Sequence, residues 1–290
     1  MDRAPNVPAQ VFLVLFPAAA GCLLGSLVID PGFAVGAFVT SALTVAVVFA
    51  LAGTLAPVLG IRKPPRSYRF LRGLGRSPLS RQAFLVGLFT VLLVIHWALV
   101  LAGAGSFALG VVTVVVGGAA VLAIGLTYWL PSQPGWRHWS TLASLFGGVL
   151  SVGVAAALVV ALAWPDSLAA DSAGIRAARA LVIVGAAALA LAAVGRSVYL
   201  SRGGPRTEQI WALTQQAHRG EHLVSVVLIA VAVAAAAVSF ASPWAIIVAF
   251  VAAAGAQSLG WRLFFMTGVP LSWKSEVRWS LPSGLVGKEG

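Results

Sequence analysis

Eight runs of about 20 mostly apolar residues, parted by shorter polar stretches, constrain this chain more than any other feature of it. They lie at roughly 11–29, 35–58, 83–103, 107–130, 142–164, 180–200, 222–241 and 244–266. A helix needs about 20 such residues to cross a hydrocarbon core ~30 Å thick. No water reaches the backbone there, so only helices or closed barrels can satisfy every N–H and C=O. Barrel strands would read as alternating segments of about 10 residues, a pattern the sequence lacks. The expectation is an all-α, polytopic membrane protein: one domain over 1–290, a bundle of eight transmembrane helices.

Composition points the same way. Sixty per cent of residues are hydrophobic and 9% are charged, against roughly a quarter charged in soluble domains. The first run carries no basic stretch beyond Arg3 and is longer than the usual signal-peptide core, so it reads as a retained helix.

The net charge of +11 would suggest nucleic acid in a soluble protein, but here it follows topology. With both termini cytoplasmic, 17 of the 19 basic residues fall inside and only Arg176 and Arg179 fall outside, near Asp166 and Asp171. The densest cluster is residues 60–82, with Arg62, Lys63, Arg66, Arg69, Arg72, Arg76 and Arg81 and no acidic residue. From Pro65 to Arg76 the arginines recur every three or four positions, while Phe70, Leu71 and Leu74 supply an apolar side, as in a helix lying at the headgroup level. Anchoring to membrane lipid and docking of a partner are both open to it. Thr207 to Arg219 reads as a second cytoplasmic helix, capped by Thr207.

Polar residues inside a membrane are costly and are functional candidates for that reason. His96 lies well inside span 3 and His222 at the edge of span 7, while Gln257 and Arg262 enter the last span. The two histidines differ in depth by most of the bilayer, so they cannot share a haem; the expectation is no haem. No His/Cys/Asp/Glu cluster has metal-ligand spacing, no nucleophile–base motif is evident, and no catalytic residue is assigned. The lone cysteine, Cys22, can hold neither a disulfide within the chain nor an iron–sulfur cluster. No buried carboxylate or internal repeat favours a transporter. A quinone site needs an apolar cleft at the membrane edge with donors for two carbonyl oxygens. Tyr68, Arg72, Arg81, Gln82, Gln257 and Trp261, at the cytoplasmic mouth of spans 2, 3 and 8, offer those groups. Snorkelling of Arg and belt anchoring of Trp explain them equally well one by one.

The motifs then assemble into a resemblance. Gly60-Ile-Arg-Lys-Pro64 followed by Arg66-Ser-Tyr-Arg-Phe-Leu-Arg-Gly-Leu-Gly-Arg-Ser-Pro-Leu-Ser-Arg-Gln82 resembles the segment between spans 2 and 3 of the dimethyl-sulfoxide-reductase-type membrane anchor subunits. Tyr128-Trp-Leu-Pro-Ser-Gln-Pro-Gly-Trp136 with Trp139-Ser-Thr141 is similar to their loop between spans 4 and 5, and Gln257-Ser-Leu-Gly-Trp-Arg-Leu-Phe-Phe265 to their last span. The resemblance implies a bacterial or archaeal cytoplasmic-membrane protein that anchors a molybdopterin catalytic subunit and a ferredoxin-like iron–sulfur subunit. It implies electron exchange with menaquinone or ubiquinone, with molybdopterin and iron–sulfur clusters confined to the partners. Arg62, Arg66, Arg69, Arg72 and Arg76 would dock the iron–sulfur partner; Arg81, Gln82, Tyr68, Gln257, Trp261 and His222 would contact quinone.

Departures from the pattern bear on that implication. The family's histidine falls on Gly60, and its carboxylates before span 3 and in the last span fall on Gln82 and Gln257. An amide can hydrogen-bond a quinone oxygen but cannot take its proton; His222 or a water chain would have to do so. An anchor that has lost quinone contact, and a small-molecule transporter, are the alternatives.

Overall fold

A computed structural model describes residues 7–31, 36–59, 77–129, 136–164 and 172–266. Every regular element among them is helical. Eight are long and apolar enough to cross a membrane: α1 (Val7–Ile29), α2 (Ala37–Leu59), α3 (Pro78–Leu101), α4 (Phe107–Thr127), α5 (Trp139–Leu162), α6 (Ala173–Arg202), α7 (Pro205–Val238) and α8 (Ala245–Met266). The chain is a polytopic helical membrane protein.

Within the spans, hydroxyl groups that lack water turn back on their own helix. Thr44 donates to Thr40 O at 2.7 Å, Thr90 to Val86 O at 2.8 Å and Ser151 to Gly147 O at 2.7 Å. Such back-bonding makes a serine or threonine tolerable in lipid without a partner helix.

The helices are unequally wrapped. Of the most apolar stretch of each, 83% is buried in α1 and 72% in α5, but 28% in α3 and 17% in α7. So α1 and α5 form the centre, and the others present one side to lipid. The two central helices meet where α5 changes its winding: Val149–Gly153 is a π-helical turn, with Val154 N–H donating to Val149 O. A Cβ on Gly153 would sit 2.5 Å from Gly21 Cα and 2.6 Å from Ala18 O of α1. Only glycine lets the two backbones touch here, as small residues do throughout membrane bundles.

The ends that meet define two faces. Thr127 donates to Pro78 O at 3.4 Å, joining the end of α4 to the start of α3. Trp136 Nε1 donates to Phe264 O at 3.0 Å, joining the start of α5 to the end of α8. On that face lie Arg81, Arg137, Arg196, Arg202, Arg219 and Arg262. On the opposite face Arg179, near the start of α6, sits 5.9 Å from the Phe240 ring at the end of α7.

The helix expected over 207–219 is present, but Thr207 is not its cap. Gly204 is the N-cap, at φ 117, Pro205 opens the helix, and Thr207 instead donates to Gly204 O at 2.8 Å. The helix ends in a break at His218 (φ −134, ψ 26), one residue before the expected end at Arg219, and the seventh span follows without an intervening loop. Proline suits the first turn because its missing N–H would have no intrahelical partner there. The expected interfacial helix from Pro65 to Arg76 lies outside the described residues, and with it Gly60, Tyr68 and the docking arginines Arg62, Arg66, Arg69, Arg72 and Arg76.

Candidate functional site

At the basic face the second half of the bundle is hollow. A cleft opens between α5, α6, α7 and α8, with about 760 Å³ empty of protein atoms, its open mouth included. On α6 it runs from Leu200 up to Leu189, 11 residues or about 16 Å of helix. One end is apolar, walled by Leu189, Val226 and Ile229; the other holds Arg196, His222, Gln257, Trp211, Trp261 and several hydroxyls.

Each polar group is placed by a specific contact. Gln257 is 3% exposed and clamps α8 to α5: its Nε2 donates to Ser144 O at 2.9 Å, and Ser144 Oγ donates to its Oε1 at 3.5 Å. Gly148, one turn on, leaves room for that amide; a Cβ there would meet Nε2 at 2.7 Å. The Arg196 guanidinium lies 4.4 Å from the Phe264 ring centroid, within the range of a cation–π contact. Phe264 also packs edge-on against Trp261 at 5.0 Å, so one ring supports both Arg196 and Trp261. Trp261 is 1% exposed, and its indole N–H, buried, has no hydrogen-bond partner. Leaving such a donor unmade costs about 1–3 kcal/mol, which makes it a conspicuous group in a cleft wall.

The kink in α7 shapes the remaining wall. Trp211 and His222 are 11 residues apart, which along a straight helix is about 16 Å. Their rings nevertheless meet at 5.4 Å, perpendicular, because the bend at His218 brings the two sides of the concave face together. Glu221 fixes the bend, its Oε1 lying 3.0 Å from Arg262 Nη2 on α8 and 3.5 Å from His218 Nδ1. The Arg262 and Glu221 side chains are part-exposed, so the pair contributes no more than about 1 kcal/mol.

Beside the cleft, His138 caps α5 by accepting from Ser140 N–H at 3.3 Å, with Ser140 Oγ 2.8 Å from the same Nδ1. Its ring stacks on Tyr199 at 4.6 Å. Burial, and secondarily the charge of Arg196, hold its imidazole below the usual range, so it is neutral at pH 7. Tyr128, after the end of α4, closes an aromatic cluster with Trp136, Phe264 and Phe265. Burial pushes its phenol up to about 12, so it stays protonated.

The residues singled out in the sequence divide. Gln257, Trp261 and His222 come together in the cleft, but at spans 5 to 8 rather than at the mouth of spans 2, 3 and 8. The reason is helix order: α8 packs chiefly on α7, and after it on α5 and α1, whereas α3 packs on α4 and α2. Arg81 and Gln82 therefore sit at the start of α3, away from the cleft lining, with Gln82 Oε1 buried and without a hydrogen-bond partner. Trp261 is not a belt tryptophan; it is among the most deeply buried large side chains. His96, on α3, is fully buried and separate from His222. Among the described residues no three His, Cys, Asp or Glu side chains gather as metal ligands.

Arg196 and Trp211 escaped the sequence reading. Arg196 counted as an inside charge, yet it stands six residues, about 9 Å, before the end of α6. That depth was the available signal. Measured against known protein families the chain matches no family model, and no curated protein is similar enough to match it.

Proposed function

We propose that this chain is the membrane-anchor subunit of a molybdopterin–iron–sulfur oxidoreductase and that it exchanges electrons with a quinone at its basic face. One observation carries the reading. Three residues chosen from the sequence for a quinone site, Gln257, Trp261 and His222, converge on a single cleft with an apolar end and a donor-rich end. Small-molecule sites have this make-up, mostly apolar walls with a few placed polar groups.

The residues fit that ligand class. Trp261 and Arg196 can donate to carbonyl oxygens, Trp211 offers an aromatic face, and Leu189, Val226 and Ile229 continue as an apolar track for a tail. A quinone would supply two-electron redox chemistry; the chain's part is to orient it and keep it within reach of the partner's cluster. Among the described lining residues His222 is the side chain whose ordinary pKa lies near neutrality, so proton exchange falls to it or to water admitted at the mouth. By the positive-inside rule the basic face is cytoplasmic, and the segment 60–76 docks the iron–sulfur subunit there.

The test is a gentle-detergent pull-down of the chain from its native membrane, with mass spectrometry and molybdenum and iron analysis of the eluate. Co-elution of a molybdopterin protein and a cysteine-rich ferredoxin-like protein is the expected result. A chain that elutes alone and metal-free ends the anchor reading.

A further inference from the structure

The geometry points to the α5–α8 cleft as a binding site for an amphiphile whose head group presents acceptor oxygens and carries no positive charge, held by Arg196 and Trp261. The inference rests on the quinone reading for the identity of the occupant, and on the cleft alone for its chemistry.

Two lining groups set the polarity of the site. The Trp261 indole can only donate, and its N–H is buried without a partner at 1% exposure. The Arg196 guanidinium likewise donates through five N–H groups and accepts through none. Phe264 touches both, at 4.4 Å from the guanidinium and 5.0 Å from the indole, so one ring packs against both donor-bearing side chains. A head group that meets either must bring acceptors.

The rest of the lining narrows the class. Among the described residues no carboxylate lines the cleft, so none of them would balance a ligand cation beside Arg196. Gln257 is committed to Ser144 through both ends of its amide, and Ser197 donates to Ala193 O at 2.9 Å. These groups stiffen the walls more than they read the ligand. Beyond the polar end, Leu189, Val226 and Ile229 extend the cleft toward the membrane interior. A ligand therefore needs an apolar tail behind an acceptor head. A quinone has this form, with two carbonyl oxygens; so does an anionic phospholipid, with phosphate oxygens.

Purified full-length protein in phosphatidylcholine nanodiscs should be photolabelled with a short-tailed azido-ubiquinone and the labelled peptides mapped. Decyl-ubiquinone and phosphatidylglycerol are then added separately as competitors. The expected label falls on α6, α7 and α8 peptides that line the cleft, and decyl-ubiquinone displaces it. Trp261→Phe should weaken that competition about tenfold, the share of one hydrogen bond to a buried acceptor. Trp164→Phe, on the opposite face, should leave it unchanged. Arg196→Gln should weaken it at least as much; if that variant does not fold, Trp261→Phe still decides. Displacement by phosphatidylglycerol alone would keep the acceptor site and overturn quinone as its occupant. Label confined to α3, or unaltered competition in Trp261→Phe, overturns the site itself. Molybdenum and iron co-eluting with a protein whose cleft takes no label would leave the anchor reading standing and remove this one. A labelled cleft on a metal-free chain would do the reverse.

Discussion

Where α1 crosses the π-helical turn of α5, the bundle has no space to spare; at the basic end of α5–α8, it has a cleft. The difference is not one of composition, since both regions are rich in glycine and alanine. At Gly153 a methyl group would strike the backbone of α1, 2.5 Å from Gly21 Cα. At Gly260, in the cleft wall, the same methyl group would meet nothing within 4 Å. Small residues let helices approach, but whether they do approach depends on what stands behind them. The cleft that Gly260 lines is also lined by Arg196, Trp211 and His222, and burying polar groups like theirs against alkyl groups alone is costly.

The contrast can be broken most forcefully at its dense end. Gly153→Ala should destabilise the protein by about 3 kcal/mol, the upper range for overpacking, because the obstacle is backbone and cannot swing aside. Thermal melting in detergent measures it, and an unchanged melting temperature would show that α1 and α5 are less tightly joined than described. Next in size is the clamp between the two regions. Gln257→Leu removes both bonds to Ser144 and should cost about 1–2 kcal/mol, with a matching fall in melting temperature.

Acidity sharpens the comparison at the rim of the cleft. His138 has its folded pKa depressed, chiefly by burial, so the unfolded chain binds the proton more readily. Its contribution is therefore present above the unfolded value of 6.5 and is lost as pH falls below it. Melting temperature should drop between pH 7.5 and pH 5.5, and His138→Asn, which keeps a capping side chain, should flatten that dependence. Arg262→Ala, which cuts the exposed pair to Glu221, should cost about 0.5 kcal/mol and be masked by salt. Smallest of all, Gly260→Ala should leave stability within about 0.5 kcal/mol, since it adds a methyl to open space and favours the helix.

How legible the site was depended on how far apart its parts lay in the chain. Gln257, Trp261 and His222 could be singled out because a polar or amphipathic side chain within or beside an apolar run is unusual by itself. Their convergence could not be read, for nothing in 290 residues states that α8 packs on α7 and α5 and not on α2 and α3. Arg81 and Gln82, grouped with them by motif, turned out to belong to another part of the face. The break near Arg219 was legible, but not that the next span follows it without a loop. Thr207 to Arg219 has its own polar pattern, and the partner Arg262, 41 positions beyond Glu221, explains how the bend is held.

The sequence by itself determined that the chain is a membrane protein, how many helices span, and which face is basic. Those properties follow from the transfer of single residues between water and hydrocarbon, and such transfer sums along the chain without regard to neighbours. Tertiary structure alone decided where α1 and α5 touch, where the bundle stays hollow, and that Arg196 and Trp261 share one supporting ring. Between helices in lipid the hydrophobic effect gives no guidance; shape, close contact and hydrogen bonds choose the partners, and those depend on side chains that are remote in sequence.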